Sequence, residues 1–276
     1  MALFQPIQQK GFTMIRVAGK LLGAVLTISL LCTSAAYADL FRLRVENLGT
    51  GSGVVVTDGG DGDLAKLAAG IIMYSGTIDG FTFNVTTGLS KPAIGGVNNY
   101  AELDLNSIIV QGNGPGILRI ILEDAGYTSG PDGELSAVGL VGGTLTAASG
   151  STATFQSWVN PSNLVPDLGP NAFSPVGLHL DPMGGIPVGS VALWSETGGA
   201  VTFGPGAFSS SDSESFMHSG AYSMFMQATI DFKGAGVVSF DSNLSTVPEP
   251  TSLLLLGSGL AGMGLWSRRK KKSAQV

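Results

Sequence analysis

Asp58-Gly59-Gly60-Asp61-Gly62-Asp63 places three carboxylates within six residues on a stretch that glycine leaves free to bend. Oxygen donors this close together could converge on a hard cation such as Ca²⁺, which is bound through carboxylates and carbonyls. The stretch lacks the regular spacing and the closing bidentate Glu of an EF-hand loop. Asp-Gly pairs are also ordinary turn chemistry. A calcium site on Asp58, Asp61 and Asp63 and a plain acidic turn are therefore the two readings. No other cofactor is implied.

Other candidate chemistry is thinner. Glu123-Asp124 and Asp132 with Glu134 are carboxylate pairs of the kind glycosidases hold across a cleft, a geometry that spacing alone does not fix. His179 and His218 are the only histidines, and no serine sits in a G-x-S-x-G elbow. There is no H-E-x-x-H, so a zinc site has no ligand set. Gly112-Asn113-Gly114-Pro115-Gly116 lacks the following helix of a phosphate cradle and reads as a turn. Asn84-Val85-Thr86 and Asn243-Leu244-Ser245 match the glycosylation sequon, a pattern short enough to arise by chance. No catalytic residue is expected, and the chain is read as not an enzyme.

The elements that must position such residues are strands. Glycine makes up 41 of the 276 residues and only 12% are charged, against about 7% and about 25% in ordinary globular chains. Long helices need the charged and long-chain residues that are scarce here. Phe81, Phe83 and Val85 alternate with Thr82 and Asn84 after the turn Ile78-Asp79-Gly80. Leu103 and Leu105 alternate into Ile108-Ile109-Val110, and Ile117 to Leu122 follows the glycine turn. Further strands are expected over Val54–Thr57, Thr152–Trp158, Val188–Trp194, Tyr222–Phe232 and Gly236–Phe240. Asp63 to Ala69 is the one expected helical turn. Asn160–Pro187 and Gly198–Ser215 read as long loops. This texture predicts an all-β sandwich or jelly roll.

Charge is segregated. Between Asp39 and Val247 stand six Lys and Arg against 19 Asp and Glu. Such an excess repels nucleic-acid phosphates and anionic lipid, which excludes nucleic acid as a partner. The only cysteine is Cys32, so the body has no disulfide, thiolate metal site or cysteine nucleophile.

The two ends address the chain. Lys10, Arg16 and Lys20 precede the apolar run Leu21–Leu31, and Ala36-Tyr37-Ala38 follows as an A-x-A site. Residues 1–38 are expected to be a signal peptide, handled by the Sec translocon and signal peptidase, with Asp39 the first mature residue. Met14 is a second candidate start. A β-rich ectodomain is expected over 39–240 and a tether over 241–247. Residues 248–272 then run Pro248-Glu249-Pro250, an apolar stretch from Thr251 to Ser267, and the cations Arg268, Arg269, Lys270, Lys271 and Lys272. If helical, the apolar stretch reaches about 25 Å of a hydrocarbon core of about 30 Å. The basic cluster keeps the far end cytoplasmic.

This tripartite end resembles the PEP-CTERM sorting signal, whose tail is sometimes labelled an ice-binding protein C-terminal domain. The resemblance implies recognition by an exosortase, a membrane transpeptidase of Gram-negative bacteria, and a passing stay in the inner membrane. It further implies delivery to the cell surface or extracellular matrix, in association with exopolysaccharide or biofilm. The body has the general look of other such ectodomains, for instance Leu103-Asp104-Leu105-Asn106-Ser107. The resulting expectation is a non-enzymatic surface or matrix protein. A lectin-like carbohydrate-binding module, with Trp158 or Trp194 as a stacking platform, is the alternative, and a polysaccharide-acting enzyme is disfavoured.

Overall fold

The structure is a computed structural model, and it describes residues 41–91, 101–128, 132–166 and 186–248, together with 258, 259 and 263. The chain divides into two compact units, Met1–Asp39 and Leu40–Val276. The first unit, with Ala36, Ala38 and Asp39 of the expected cleavage site, lies outside the described residues. So do Glu249, Pro250 and the cations 268–272.

Thirteen strands make up the described part of the second unit. They are β1 (Arg42–Asn47), β2 (Gly53–Thr57), β3 (Ile71–Ile78), β4 (Phe81–Leu89), β5 (Ala101–Gly112), β6 (Gly116–Tyr127) and β7 (Gly133–Ala147). There follow β8 (Thr152–Asn160), β9 (Val191–Ala192), β10 (Val201–Phe203), β11 (Gly206–His218), β12 (Tyr222–Phe232) and β13 (Gly236–Pro248). One sheet runs β10-β8-β12-β6-β1-β2, with β9 also on β8; the other runs β11-β7-β13-β5-β4-β3. Every pairing is antiparallel.

Alternation builds the core. Leu43 and Val45, Leu118, Ile120 and Leu122, and Ala228, Ile230 and Phe232 supply one inner face. Phe81, Phe83, Leu103, Leu105, Val110, Val238, Phe240 and Leu244 supply the other. Phe155 of β8 meets Phe240 of β13 edge-on with ring centroids 5.0 Å apart, so the two sheets stack face to face. This is the expected all-β sandwich. The turn between β3 and β4 has Asp79 and Gly80 both at positive φ, the tight hairpin geometry that Asp-Gly suits. No helix among the described residues is long and apolar enough to cross a membrane. Ser258, Gly259 and Met263 are helical.

Four expectations need correction. The segment 241–247, expected as a tether, is the second half of β13, paired with β5 through Thr246 and with β7 through Pro248. Its alternation was masked because the inward positions after Phe240 include the polar residues Ser242 and Thr246. Gly198–Ser215, expected as a loop, holds β10 and most of β11. β11 is rich in serine rather than β-branched residues, and its inner face shows only Phe208, Phe216 and His218 as bulk. It is a strand because thirteen residues pair with β7. Val188–Trp194, expected as a strand, contributes only the two residues of β9. Residues 63–69 form turns rather than a helix.

Candidate functional site

The outer face of the β11-β7-β13-β5 sheet carries a groove of about 600 Å³. Register explains its composition. Asp104 on β5 stands opposite Asn243 on β13, Asn243 opposite Leu140 on β7, and Leu140 opposite Ser211 on β11. The adjoining row runs Asp241, Gly142, Ser209. Successive side chains alternate between faces, so while these residues face out, Leu103, Leu105, Ser242 and Leu244 face the core.

Two local features shape the groove. Gly142 has no side chain, and a Cβ there would find its nearest neighbours at 3.8 and 4.0 Å, so the floor of the outer face is open. Opposite Asp241, β5 carries a bulge: the register shifts between Phe240 and Ser242, and Ser107 adopts φ 56°. Asp241 Oδ1 accepts the Ser107 N–H at 2.6 Å and holds the bulge in place. Asn243 Nδ2 donates to Glu102 Oε1 at 2.7 Å.

The groove is acidic. Burial raises the Asp104 carboxyl above the usual range; a hydrogen bond from Asn106 partly offsets this, and the charges of Glu102 and Asp241 raise it further. No cation among the described residues answers them. Each of the body's Lys and Arg residues is held by a carboxylate elsewhere: Arg42 and Arg44 by Glu123, Lys66 by Asp61, Lys91 by Asp124, Arg119 by Glu46 and Lys233 by Asp231. The groove thus offers carboxylate and carbonyl acceptors, amide and hydroxyl donors, and one apolar surface, Leu140.

The sequence candidates fall elsewhere. Asp58, Asp61 and Asp63 do not converge. Asp58 Oδ2 accepts the Gly70 N–H at 2.8 Å, while Asp61 turns to solvent and pairs with Lys66 at 2.9 Å. Asp63 is buried and accepts the N–H groups of Gly59, Ala65 and Met73 at 3.0, 2.8 and 3.0 Å. Two of the three are thus capping groups for turn amides, the chemistry of the plain acidic turn. Among the described residues no three His, Cys, Asp or Glu side chains are grouped to hold a metal ion.

Glu123 and Asp124 are both buried and engaged. Burial raises the Glu123 carboxyl, with Arg44 and Arg42 pulling it back. Asp124 accepts Ser90 Oγ at 2.5 Å and Lys91 Nζ at 2.7 Å. That Ser-Lys pair is no exposed nucleophile and base, because Ser90 is fully buried and the ammonium is paired. Asp132 Oδ1 accepts the Gly220 N–H at 3.1 Å. His218 is buried, edge-on to Tyr222 with centroids 5.2 Å apart, and His179 lies outside the described residues.

Neither Trp158 nor Trp194 forms a shelf. Trp158 is 3% exposed and stacks on Phe225 at 5.1 Å; Trp194 is 6% exposed and donates Nε1–H to Ser210 Oγ at 3.1 Å. Its backbone N–H also bonds the Asp212 carboxylate. Leu193 and Trp194 pack where a Cβ on Gly139 would clash with them. The groove itself escaped sequence reading, since its residues come from four strands, one of which reads as loop.

Two solved structures bear a loose likeness to the chain. One is TmCBM61 in complex with beta-1,4-galactotriose, at 6% identity and a TM-score of 0.25, covering 62% of this chain and 90% of that one. The other is from a study of the promiscuous specificity of carbohydrate-binding modules from the beta-sandwich super family, at 13% identity and a TM-score of 0.23. It covers 68% of this chain and 64% of that one. Likenesses this loose carry no argument about this chain. No curated protein matches it. A family model does match, over residues 246–270, and its description is the PEP-CTERM protein-sorting motif. That motif implies export and a membrane-anchored sorting signal processed by an exosortase. Residues 246–270 of this chain, beginning within β13, are a PEP-CTERM protein-sorting motif.

Proposed function

We propose that this is a non-enzymatic surface or matrix protein whose sandwich binds a neutral polysaccharide in the groove of the β11-β7-β13-β5 face. The observation that carries the reading is the cross-strand row Asp104, Asn243, Leu140, Ser211, open above Gly142. Sugar hydroxyls both donate and accept, and this row supplies acceptors and donors side by side with an apolar contact for a ring face. The six described Lys and Arg side chains are all paired, so none of them is left to attract uronate or sulfate groups, and the carboxylates repel such groups. Such a protein is delivered by the sorting motif to where exopolymer is laid down, and it holds that polymer at the cell surface.

The test is binding of the exported chain to neutral and acidic exopolysaccharide fractions of its own host. Binding of the neutral fraction, lost in Asn243→Ala, supports the reading. Equal binding to acidic polymer, or neutral binding unaffected by Asn243→Ala, counts against it.

One observation favours a second reading. Asp104, raised by burial, shares the groove with Asp241, and an acid beside a carboxylate is the pairing that glycoside hydrolysis uses. Release of reducing ends from the same polymer, abolished by Asp104→Asn, would move the assignment to an enzyme.

A further inference from the structure

The sorting motif and the folded domain share residues. The match begins at Thr246, and Thr246 is 1% exposed, with Oγ1 2.8 Å from the Tyr222 hydroxyl and accepting the Ala101 N–H at 3.2 Å. Leu244, two residues earlier, is fully buried. β13 lies between β5 and β7, so its backbone has ladder partners on both edges. On the β7 side the register continues through Val247 opposite Ser136 and Pro248 opposite Leu135. The first residue of the tripeptide is therefore the last residue of a central strand, and no linker separates them.

We propose that the folded sandwich masks the N-terminal flank of the sorting tripeptide, and that the processing enzyme reaches it only when the last pairs of β13 open. The proposal rests on the sorting reading of the tripeptide. An extended substrate is recognised through its free backbone edges and alternate side chains. Residues 244–246 offer no free edge while both of their edges are paired, Leu244 and Thr246 are in the core, and Val247 is still paired with β7. Pro248 brings no N–H of its own to the ladder, so the strand is most easily opened from this end. Thr246, Tyr222 and Leu244 act as positioning residues: they set how far into the strand that opening runs.

The experiment follows processing of the full chain by pulse-chase in cells that process the wild type. A Gly-Ser-Gly-Ser spacer between Val247 and Pro248 keeps the tripeptide intact and moves it about 13 Å from the sheet. It is expected to speed processing by about tenfold or more, since a local opening step drops out. A disulfide between Val247→Cys and Ser136→Cys, in a Cys32→Ser background, is expected to stop processing, and reductant to restore it. The proposal is overturned if the spacer leaves the rate unchanged or lowers it. It is also overturned if the formed disulfide has no effect. Replacing Pro248, Glu249 and Pro250 by alanine separates the two ideas: continued processing of that variant removes the sorting reading itself, whatever the spacer does.

Discussion

The Tyr222 hydroxyl on β12 lies 2.8 Å from Thr246 Oγ1 on β13, so a hydrogen bond crosses the core from one sheet to the other. Both residues are buried, and the Tyr222 ring is stacked on Tyr127 at 5.8 Å. Tyr222→Phe removes that bond but keeps the stack and leaves Thr246 Oγ1 with the Ala101 N–H. The expected loss is about 1 kcal/mol. Urea unfolding measures it, as a lower midpoint at unchanged slope.

Gly142→Val tests the groove without testing the fold. The added side chain has room on the outer face, and valine is a better strand residue than glycine. The melting temperature should hold or rise slightly while polysaccharide affinity falls by about tenfold or more, the effect of filling a site at about 1.4 kcal/mol per decade. Parallel melting and binding curves on one preparation decide it. Loss of both together would mean that the position is structural.

The three aspartates of the acidic turn should differ sharply. Asp63→Ala strands three amide donors, those of Gly59, Ala65 and Met73, and should cost about 2–3 kcal/mol. Asp61→Ala, whose carboxylate is in solvent, should leave the melting temperature where it was. Thermal melts of the two variants, repeated with added calcium, provide the comparison. A calcium-dependent rise in the wild type, absent in Asp58→Ala, would show that the carboxylates rearrange around an ion.

Asp104 makes stability depend on pH. Its folded pKa is raised above 3.8 by burial, so its charged form disfavours the fold wherever the pH exceeds that raised value. Lowering the pH through the raised value toward 3.8 relieves this in the wild type. Asp104→Asn should therefore be more stable than the wild type at neutral pH, with the advantage shrinking as the carboxyl protonates. Added salt should shrink it too, because the neighbouring charges of Glu102 and Asp241 are partly solvated. Melting curves across pH 3–7 at two ionic strengths follow it.

Much of the framework could be read from residue order. Ile78-Asp79-Gly80 marked the hairpin and Phe81, Phe83, Leu103 and Leu105 marked inward rows, because a strand's period of two is written directly in the chain. β11 could not be recognised, because a serine-rich strand gains its stability from its partner and not from its own propensity. The ion pairs of Glu123 with Arg42 and Arg44 span some eighty positions, and no local spacing announces them.

By itself the sequence determined that the chain ends in a sorting motif and that its body is made of strands. Proline backbone limits, apolar length, basic flanks and alternation are all local properties that act within a few residues. Only the tertiary structure decided which polar residues meet. Asp104, Asn243, Leu140 and Ser211 become neighbours through strand register, a long-range choice made when two faces bury their apolar rows together. The same choice drew 241–248 into the sheet and placed Pro248, the first residue of the sorting tripeptide, at the end of a central strand.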